Sequence, residues 1–249
     1  MITCALPTYN SSPILWLCLE SLCRQETEFE WELILMEEPS ANYSGPKYVK
    51  PYEDRLRKAG CTRIEFVEVP IKVPLSVKWI EIAKRASFPF YALVASDDYN
   101  HPDRLQKSVE ALQQGKAWVD WDRGLFLDVR KHTTGEWRRP SPDRTGLFMS
   151  THTKYVSRLL GPYPDRYVDG WMRDQTPAFL NDSVRHRYEE LPMGLDTDGH
   201  NQISAQRTTK YSEREYKPPF HEPSSQVKEV LPEEVFDMLV DKFMIPKFL

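Results

Sequence analysis

The sequence has no uninterrupted apolar stretch of the roughly 20 residues that a bilayer-crossing helix needs, so no transmembrane segment is expected. It has no basic excess either. Its 33 Lys+Arg stand against 37 Asp+Glu, a net charge of −4, and neither a nucleic-acid surface nor a polybasic membrane patch follows from that balance. The four cysteines, Cys4, Cys18, Cys23 and Cys61, show no metal-type pairing and sit among apolar neighbours. Buried, reduced thiols are expected, and with them a cytoplasmic compartment. The opening Met1-Ile-Thr-Cys-Ala lacks the basic n-region and apolar core of a secretory signal, which points to a soluble protein. No segment repeats. Pro7 to Pro13 holds neither Gly nor Lys, so the Gly-rich basic loop that a nucleotidyltransferase would carry near its start is missing.

What is present begins with a length, 249 residues, that fits one α/β domain with or without an appendage. Ile2 to Leu6 reads as a strand, followed by a turn and a helix with Ser11 or Ser12 as cap and Pro13 in its first turn. Leu15, Cys18, Leu19 and Leu22 give that helix one apolar face. Trp31–Met36 and Ile64–Val69 read as further strands. Between them a helix runs to about Lys58 and stops at Gly60, and Ser76–Ala86 reads as the next helix. Next comes the stretch that organises the chain: an apolar run from Tyr91 to Ala95, two adjacent acids, Asp97 and Asp98, and a helix opened by Pro102. The β-α-β-α-β-α-β order predicts a mainly parallel, Rossmann-like sheet with right-handed crossovers. Acids at a strand's carboxyl end would lie where such sheets bind ligands. Hard carboxylate oxygens there suit a magnesium or manganese ion carrying a phosphate substrate. The alternative is that the pair only caps the helix.

The second half carries short strands over Ala117–Arg130, a turn at Thr133-Thr-Gly-Glu136, a strand at Leu147–Ser150 and helices over Thr153–Leu160 and Val168–Leu180. A strand near Val184–Glu190 follows. Asp196-Thr-Asp-Gly-His-Asn-Gln202 reads as a polar loop, and 217–225 as an extended linker. Pro232 opens a last helix whose Val235, Phe236, Leu239, Val240 and Phe243 form an apolar stripe. That stripe either docks on its own domain or contacts a second copy, as in a homodimer, or another partner. His101 is expected beside the helix cap, and His132, His152, His186 and His221 at the surface. Most of the seven Trp and twelve Tyr are assigned to the core, although aromatic faces also pack against sugars.

Pro7-Thr-Tyr-Asn10, Cys18-Leu-Glu-Ser-Leu-Cys-Arg-Gln25, Glu32-Leu-Ile-Leu-Met-Glu-Glu-Pro-Ser40 and Ala95-Ser-Asp-Asp-Tyr-Asn-His-Pro-Asp-Arg-Leu105 resemble, in order and spacing, the motifs of family 2 glycosyltransferases. Thr145-Gly-Leu-Phe-Met-Ser150, Leu160-Gly-Pro-Tyr163 and Val168-Asp-Gly-Trp171 resemble that family's looser acceptor half. The resemblance implies a GT-A fold. Residues 1–115 would bind a nucleoside-diphosphate sugar, 116–211 would form a smaller acceptor half, and 212–249 would be a linker and C-terminal helix. It implies a metal-dependent, inverting transfer to a glycan or other small hydroxyl acceptor. Pro7, Thr8, Tyr9, Asn10, Glu37, Glu38 and Lys78 would line the nucleotide site, with uridine or guanosine diphosphate favoured. Lys72 is a further candidate for the phosphates. Asp97, Asp98 and His200 would hold Mn2+ or Mg2+, Asp169 would be the catalytic base, and Gly146 and Trp171 would meet the acceptor.

The chain departs from the family pattern at Ala95, which replaces the first acid of the "DxD" element, at the Glu37-Glu38 pair, and at Val77-Lys-Trp79. There is no Gln-x-x-Arg-Trp, which argues against a processive polysaccharide synthase. A catalytically silent sugar- or nucleotide-binding module would account for Ala95 but not for Asp97, Asp98 and Asp169 together.

Overall fold

The computed structural model describes residues 1–41, 43–121, 123–128, 133–138, 147–159, 172, 185–188, 194–198 and 231–243. Four parallel strands form its centre: β1 (Ile2–Thr8), β2 (Trp31–Glu37), β3 (Cys61–Glu68) and β4 (Phe90–Leu93). Every residue of β1, β2 and β4 is buried, because helices cover both faces. Alternate side chains divide between those faces. Cys4 and Leu6 pack with α1 (Leu15–Leu22) and α5 (Arg104–Gln113), while Ala5, Ile34 and Met36 pack with α4 (Leu75–Arg85). Each large apolar side chain buried this way contributes about 1.5–3 kcal/mol. Between β2 and β3 the chain makes α2 (Pro46–Val49), a 3-10 turn at Lys50–Tyr52 and α3 (Glu53–Lys58). Gly60, at φ +92°, ends that run.

The sheet continues on the far side of β4. β9 (Leu147–His152) lies antiparallel between β4 and β6 (Trp118–Trp121), and β10 (Arg185–Tyr188) pairs with β6 at the edge. The order is β10-β6-β9-β4-β1-β2-β3. After β9 the chain enters α6 (Thr153–Val156). A second sheet, β5-β11-β7-β8, joins β5 (Asp98–Asn100), β7 (Arg123–Asp128), β8 (Thr133–Arg138) and β11 (Gly194–Asp198).

The structure departs from the expectations at several places. Thr133–Glu136 is strand, not turn, because it belongs to β8, which pairs antiparallel with β7. Asp196 and Asp198 belong to β11, not to a loop. Helix α1 starts at Leu15, without a side-chain cap. Ser11 meets its first turn through its carbonyl, which accepts the N–H of Ile14 at 2.9 Å and of Leu15 at 2.8 Å. His152 is half-buried, its Nε2 2.9 Å from the Lys116 carbonyl and its ring edge-on to Phe90 and Tyr155. His101 does sit beside the cap, its Nδ1 accepting the Asp103 N–H at 3.2 Å.

The C-terminal helix, α7 (Glu233–Phe243), docks on its own chain. Val235 and Leu239 are fully buried with Ile14, Trp16, Leu17 and Tyr99. Arg24 bridges Glu20 at 3.1 Å and Glu234 at 2.7 Å, and Lys242 Nζ sits 4.3 Å from the Trp16 ring centroid. A homodimer built on Val235 and Leu239 would require α7 to leave α1, so intramolecular docking replaces that reading of the stripe. Among the described residues no helix is long and apolar enough to cross a membrane.

Candidate active site

The chain runs outward from β1 to β2 and β3, then returns to place β4 on the other side of β1. The carboxyl ends of β1 and β4 therefore flank a topological switch point, where connections leave in opposite directions and a crevice opens. A cavity of about 160 Å³ lies there. Pro7, Thr8 and Tyr9 line it from the β1 turn, Glu38 from the end of β2, and Val94–Asp97 from the end of β4. Lys72, Val73, Leu75, Lys78 and Trp79 close it from the approach to α4 and its first turns.

Glu38 and Lys78 form a buried ion pair at one end. Glu38 Oε2 lies 3.0 Å from Lys78 Nζ and accepts the Val73 N–H at 3.1 Å, while Lys78 Nζ also donates to the Thr8 carbonyl at 2.6 Å. The pair thus ties β2, the loop before α4 and the β1 turn into one wall. Glu37, the neighbouring acid, has a different task. Its two oxygens accept the N–H groups of Ser44 at 2.9 Å and Gly45 at 3.0 Å, where Gly45 takes a φ of +69° that other residues resist. Glu37 shapes the loop after β2, and Glu38 is the acid of the two that reaches the cavity. Tyr9 lies under two cations, Lys72 Nζ at 4.5 Å and Lys78 Nζ at 5.9 Å from its ring centroid. Asn10, at φ +56°, is held by its N–H to Ser40 Oγ at 3.1 Å.

The other end of the cavity carries Asp97. Its side of the wall is knitted to the β1 turn by the hydroxyl pair Ser11–Ser96 at 2.8 Å, with Ser11 also donating to the Tyr9 carbonyl at 3.0 Å. Asp97 is 7% exposed, more enclosed than an acid at an open sheet edge would be. Asp98 is half-buried and starts β5, where its Cα partner in register is Asp196 of β11. The strand-to-acid element is therefore two strands of two sheets, not one strand ending at two acids. Neither acid takes the cap position of α5, which is Asp103. The N–H of Leu105 is accepted by Gln25 Oε1 at 3.2 Å.

Gln25 ties the element to the end of α1. Its Nε2 donates to the His101 carbonyl at 2.8 Å, and Asn100 Nδ2 donates to Ser21 Oγ at 2.9 Å, so the end of α1 clamps the turn into α5. Arg104 completes the clamp from inside. It is 1% exposed, donates to the Leu93 carbonyl at 2.6 Å and bonds Asn100, joining β4 to β5. Burial pushes its guanidinium down to about 10, with Cys4 and Asp98 pulling the other way.

The donor set for a divalent metal is all-oxygen among the described residues: Asp97 in the cavity and Asp98 directly after it. That chemistry fits magnesium or manganese rather than zinc. The described residues hold no group of three or more His, Cys, Asp or Glu suited to a metal. His200, the expected third ligand, lies outside the described residues, two positions beyond the end of β11. Gly146, Asp169 and Trp171 lie outside them as well. Sequence reasoning did not single out the Ser11–Ser96 pair, the structural role of Gln25, or Trp79 as a cavity residue. The Gln25 role was readable only as part of a motif, and the other two depend on side chains meeting in space.

Residues 3–178, more than half of the chain, match the sequence model described as glycosyl transferase family 2. The chain belongs to glycosyl transferase family 2. No curated protein matches this family 2 chain in sequence. Similar solved structures include S. aureus TarS 1-349 in complex with UDP-GlcNAc, at 14% identity and a TM-score of 0.62, covering 100% of this chain and 68% of that one. The mannosyltransferase PcManGT from Pyrobaculum calidifontis, in complex with GDP-Man and Mn2+, matches at 14% identity and TM-score 0.57, covering 98% of this chain and 72% of that one. Glucosyl-3-phosphoglycerate synthase from Mycobacterium tuberculosis, with Mn2+, UDP-glucose and phosphoglyceric acid, matches at 13% and 0.55, covering 99% and 81%. The family 2 chain spans only 36% of the longer TarS chain and 60% of TarS 1-349 as matched in its UDP complex. At such identities the likeness establishes the fold: a GT-A glycosyltransferase architecture with a mostly parallel central sheet flanked by helices.

Proposed function

We propose that this chain transfers a sugar from a nucleoside-diphosphate sugar to the hydroxyl of a glycan or small acceptor, with inversion at the anomeric carbon. The observation that carries the reading is the cavity across the ends of β2, β1 and β4, with a buried Glu38–Lys78 pair at one end and Asp97 at the other. Three strand ends at about 4.8 Å spacing span about 10 Å, the scale of a nucleoside. The Glu38–Lys78 pair sets a hydrogen-bond acceptor beside a donor. Uracil and guanine present a ring N–H that a carboxylate can accept, with a carbonyl beside it for the ammonium, whereas adenine has no ring N–H on that edge. The favoured donors are therefore uridine or guanosine diphosphate sugars, with the base over Tyr9 and Lys72 near the phosphates.

Asp97, with Asp98 and His200, would hold a manganese or magnesium ion. Such an ion, when bound, supplies Lewis-acid neutralisation of the leaving diphosphate. Asp169 accepts the proton of the acceptor hydroxyl as it attacks the sugar from the face opposite the diphosphate. Gly146 and Trp171 belong to the acceptor side. Residues 1–115 form the donor half, 116–211 the acceptor half, and 212–249 a linker and helix, with α7 bracing α1 from behind.

A thermal-shift series with UDP, GDP and ADP, each with manganese, tests the reading, since a specific ligand raises the melting temperature by mass action. UDP or GDP should shift it, and ADP much less. Equal shifts by all three would overturn the base reading. No shift by any nucleotide, with no hydrolysis of UDP- or GDP-sugars, would overturn the function.

A further inference from the structure

Strand β5 consists of Asp98, Tyr99 and Asn100 alone, and it lies at the edge of its sheet with β11 as its one ladder neighbour. So short a ladder gives little hold by itself, and side-chain packing has to supply the rest. Successive side chains of a strand point to opposite faces. On one face Asn100 donates to Ser21 Oγ at 2.9 Å and bonds Arg104. Alternation puts Tyr99 on the other face, where it is fully buried. It shares a cluster there with Ile14, Trp16 and Leu17 at the start of α1 and with Leu231, Val235 and Leu239 from the C-terminal segment. The Tyr99 hydroxyl has no hydrogen-bond partner among the described residues, so the ring makes the contact.

Helix α7 lies outside residues 3–178, the part of the chain that matches the family model, and none of the cavity-lining residues belongs to it. It has 11 residues, too few to stay helical alone in water, so its order comes from docking. Val235 and Leu239 supply the buried contact, Glu234 the 2.7 Å pair with Arg24, and Lys242 the contact over the Trp16 ring. Seating α7 and covering Tyr99 are therefore one event. Unseating it would bare the Tyr99 ring and loosen β5 from that side. We propose that α7 is a positioning element for the candidate metal acid: seated on the Tyr99 ring, it fixes β5 and with it the backbone that carries Asp98. This rests on the donor-site reading above, in which Asp98 serves the metal. It gives the C-terminal helix a task in the transfer although it lies behind the site.

Leu239→Ala in the full chain weakens the seat without touching the cavity. Hydrogen exchange of the ligand-free protein should show lost protection at residues 98–100, a local opening separate from global unfolding. Calorimetric titration with UDP and manganese should show affinity per folded molecule down about tenfold, the usual scale for losing support behind a metal ligand. Leu56→Ala, in the equally buried core under α3, should lower the melting temperature but leave both readouts alone. Tyr99→Ala should reproduce the two losses, and Tyr99→Phe, which keeps the ring, should restore wild-type values. If Leu239→Ala yields no folded protein, Glu234→Lys takes its place. It sets a second cation against Arg24 on the exposed side of the helix, and affinity should fall about twofold, the scale of a surface ion pair. Unchanged exchange and affinity in the α7 and Tyr99→Ala variants, or the same losses in Leu56→Ala, would reduce α7 to general support and overturn the proposal. If wild type bound neither UDP nor GDP, the donor-site reading would fall, and the exchange comparison alone would decide whether α7 holds β5. Normal wild-type binding with unaffected variants would overturn the α7 assignment alone.

Discussion

Two buried glutamates bracket strand β2, Glu32 within its amino end and Glu38 just past its carboxyl end, and they have different surroundings. Glu32, at the amino edge, accepts Thr3 Oγ1 at 2.7 Å, the Ser87 N–H at 2.6 Å and Arg63 at 2.8 Å. That cluster closes β1, β2, β3 and the end of α4 against one another. Glu38, past the carboxyl edge, holds Lys78 and the Val73 N–H but also lines a cavity. Around it, Thr8 Oγ1 and Trp79 Nε1 are buried without a hydrogen-bond partner among the described residues. One residue type on one strand thus has a structural role at one edge and faces a binding space at the other. What separates them is whether the neighbours saturate the polar atoms. An edge whose polar groups are all internally satisfied is a support, and one that borders a cavity has room for a ligand.

The largest effect should come from the cavity edge. Asp97→Asn keeps the side-chain volume and removes the charge. If Asp97 helps hold the metal, transfer should fall by about a thousandfold or more, given the several kcal/mol of charge stabilisation at stake. Manganese-dependent UDP binding should be lost with it, while the urea midpoint moves little. Unchanged manganese-dependent binding in calorimetry would remove Asp97 from the metal site.

Glu38→Ala mixes the two edges' behaviours and so sharpens the contrast. It takes the carboxylate from the Lys78 ammonium, whose side chain is 3% exposed. Breaking a buried pair from one side typically costs about 3–5 kcal/mol, which urea unfolding would read directly. The same change should erase the preference for UDP or GDP over ADP. A variant of full stability with intact preference would mean that the pair neither braces the wall nor reads the base.

If Asp169 is the base, Asp169→Asn should act on the chemical step alone. Removal of a general base usually lowers the rate by about a hundredfold or more, and donor affinity should stay within about a few fold. Product NMR on the wild type should show the anomeric configuration inverted. Retention, or near-normal turnover in the variant, would take Asp169 out of the mechanism.

The parallel half of the fold was legible because its strands are buried on both faces and read as continuous apolar runs, Leu33–Met36 and Tyr91–Val94 among them. Residues 98–100 were not legible as a strand. Three residues carry no measurable period, and β5 exists only because β11, almost a hundred residues away, pairs with it. Glycine misled at Gly135, where ladder pairing with Phe126 outweighs local turn preference. For the site, the acids stood out as residue types, but their division of labour did not. Glu37 and Glu38 are indistinguishable in sequence until Ser44 and Gly45 take one and Lys78 takes the other. Trp79, with Ile80, Ile82 and Ala83, reads as one more core residue, and only its place in the cavity lining sets it apart.

The smallest effect, and the cleanest test of the support edge, is a pH dependence. Burial pushes the Glu32 carboxyl upward, but bonds from Thr3, Ser87 and Arg63 outweigh it and hold the group below the ordinary carboxylate range. A carboxyl with a lower pKa in the folded chain than in the unfolded one binds its proton more readily when unfolded. Its stabilisation is therefore complete above the unfolded value, near about 4.3, and is lost as pH falls through the folded value. Glu32→Gln keeps the shape and removes the charge, so at neutral pH it should be less stable by about 1.5–3 kcal/mol, the scale of charge-assisted hydrogen bonds. As pH drops below about 4.3 the wild type loses its advantage and the two urea midpoints should converge. Glu20, also held low through Arg55 and Arg24, titrates in both proteins and cancels in the difference. Nucleotide affinity, measured per folded molecule, should be the same in both throughout. A constant gap between the midpoints from neutral to acid pH would mean that Glu32 does not ionise as part of the cluster. A change in UDP affinity would mean that the two edges of β2 are not independent.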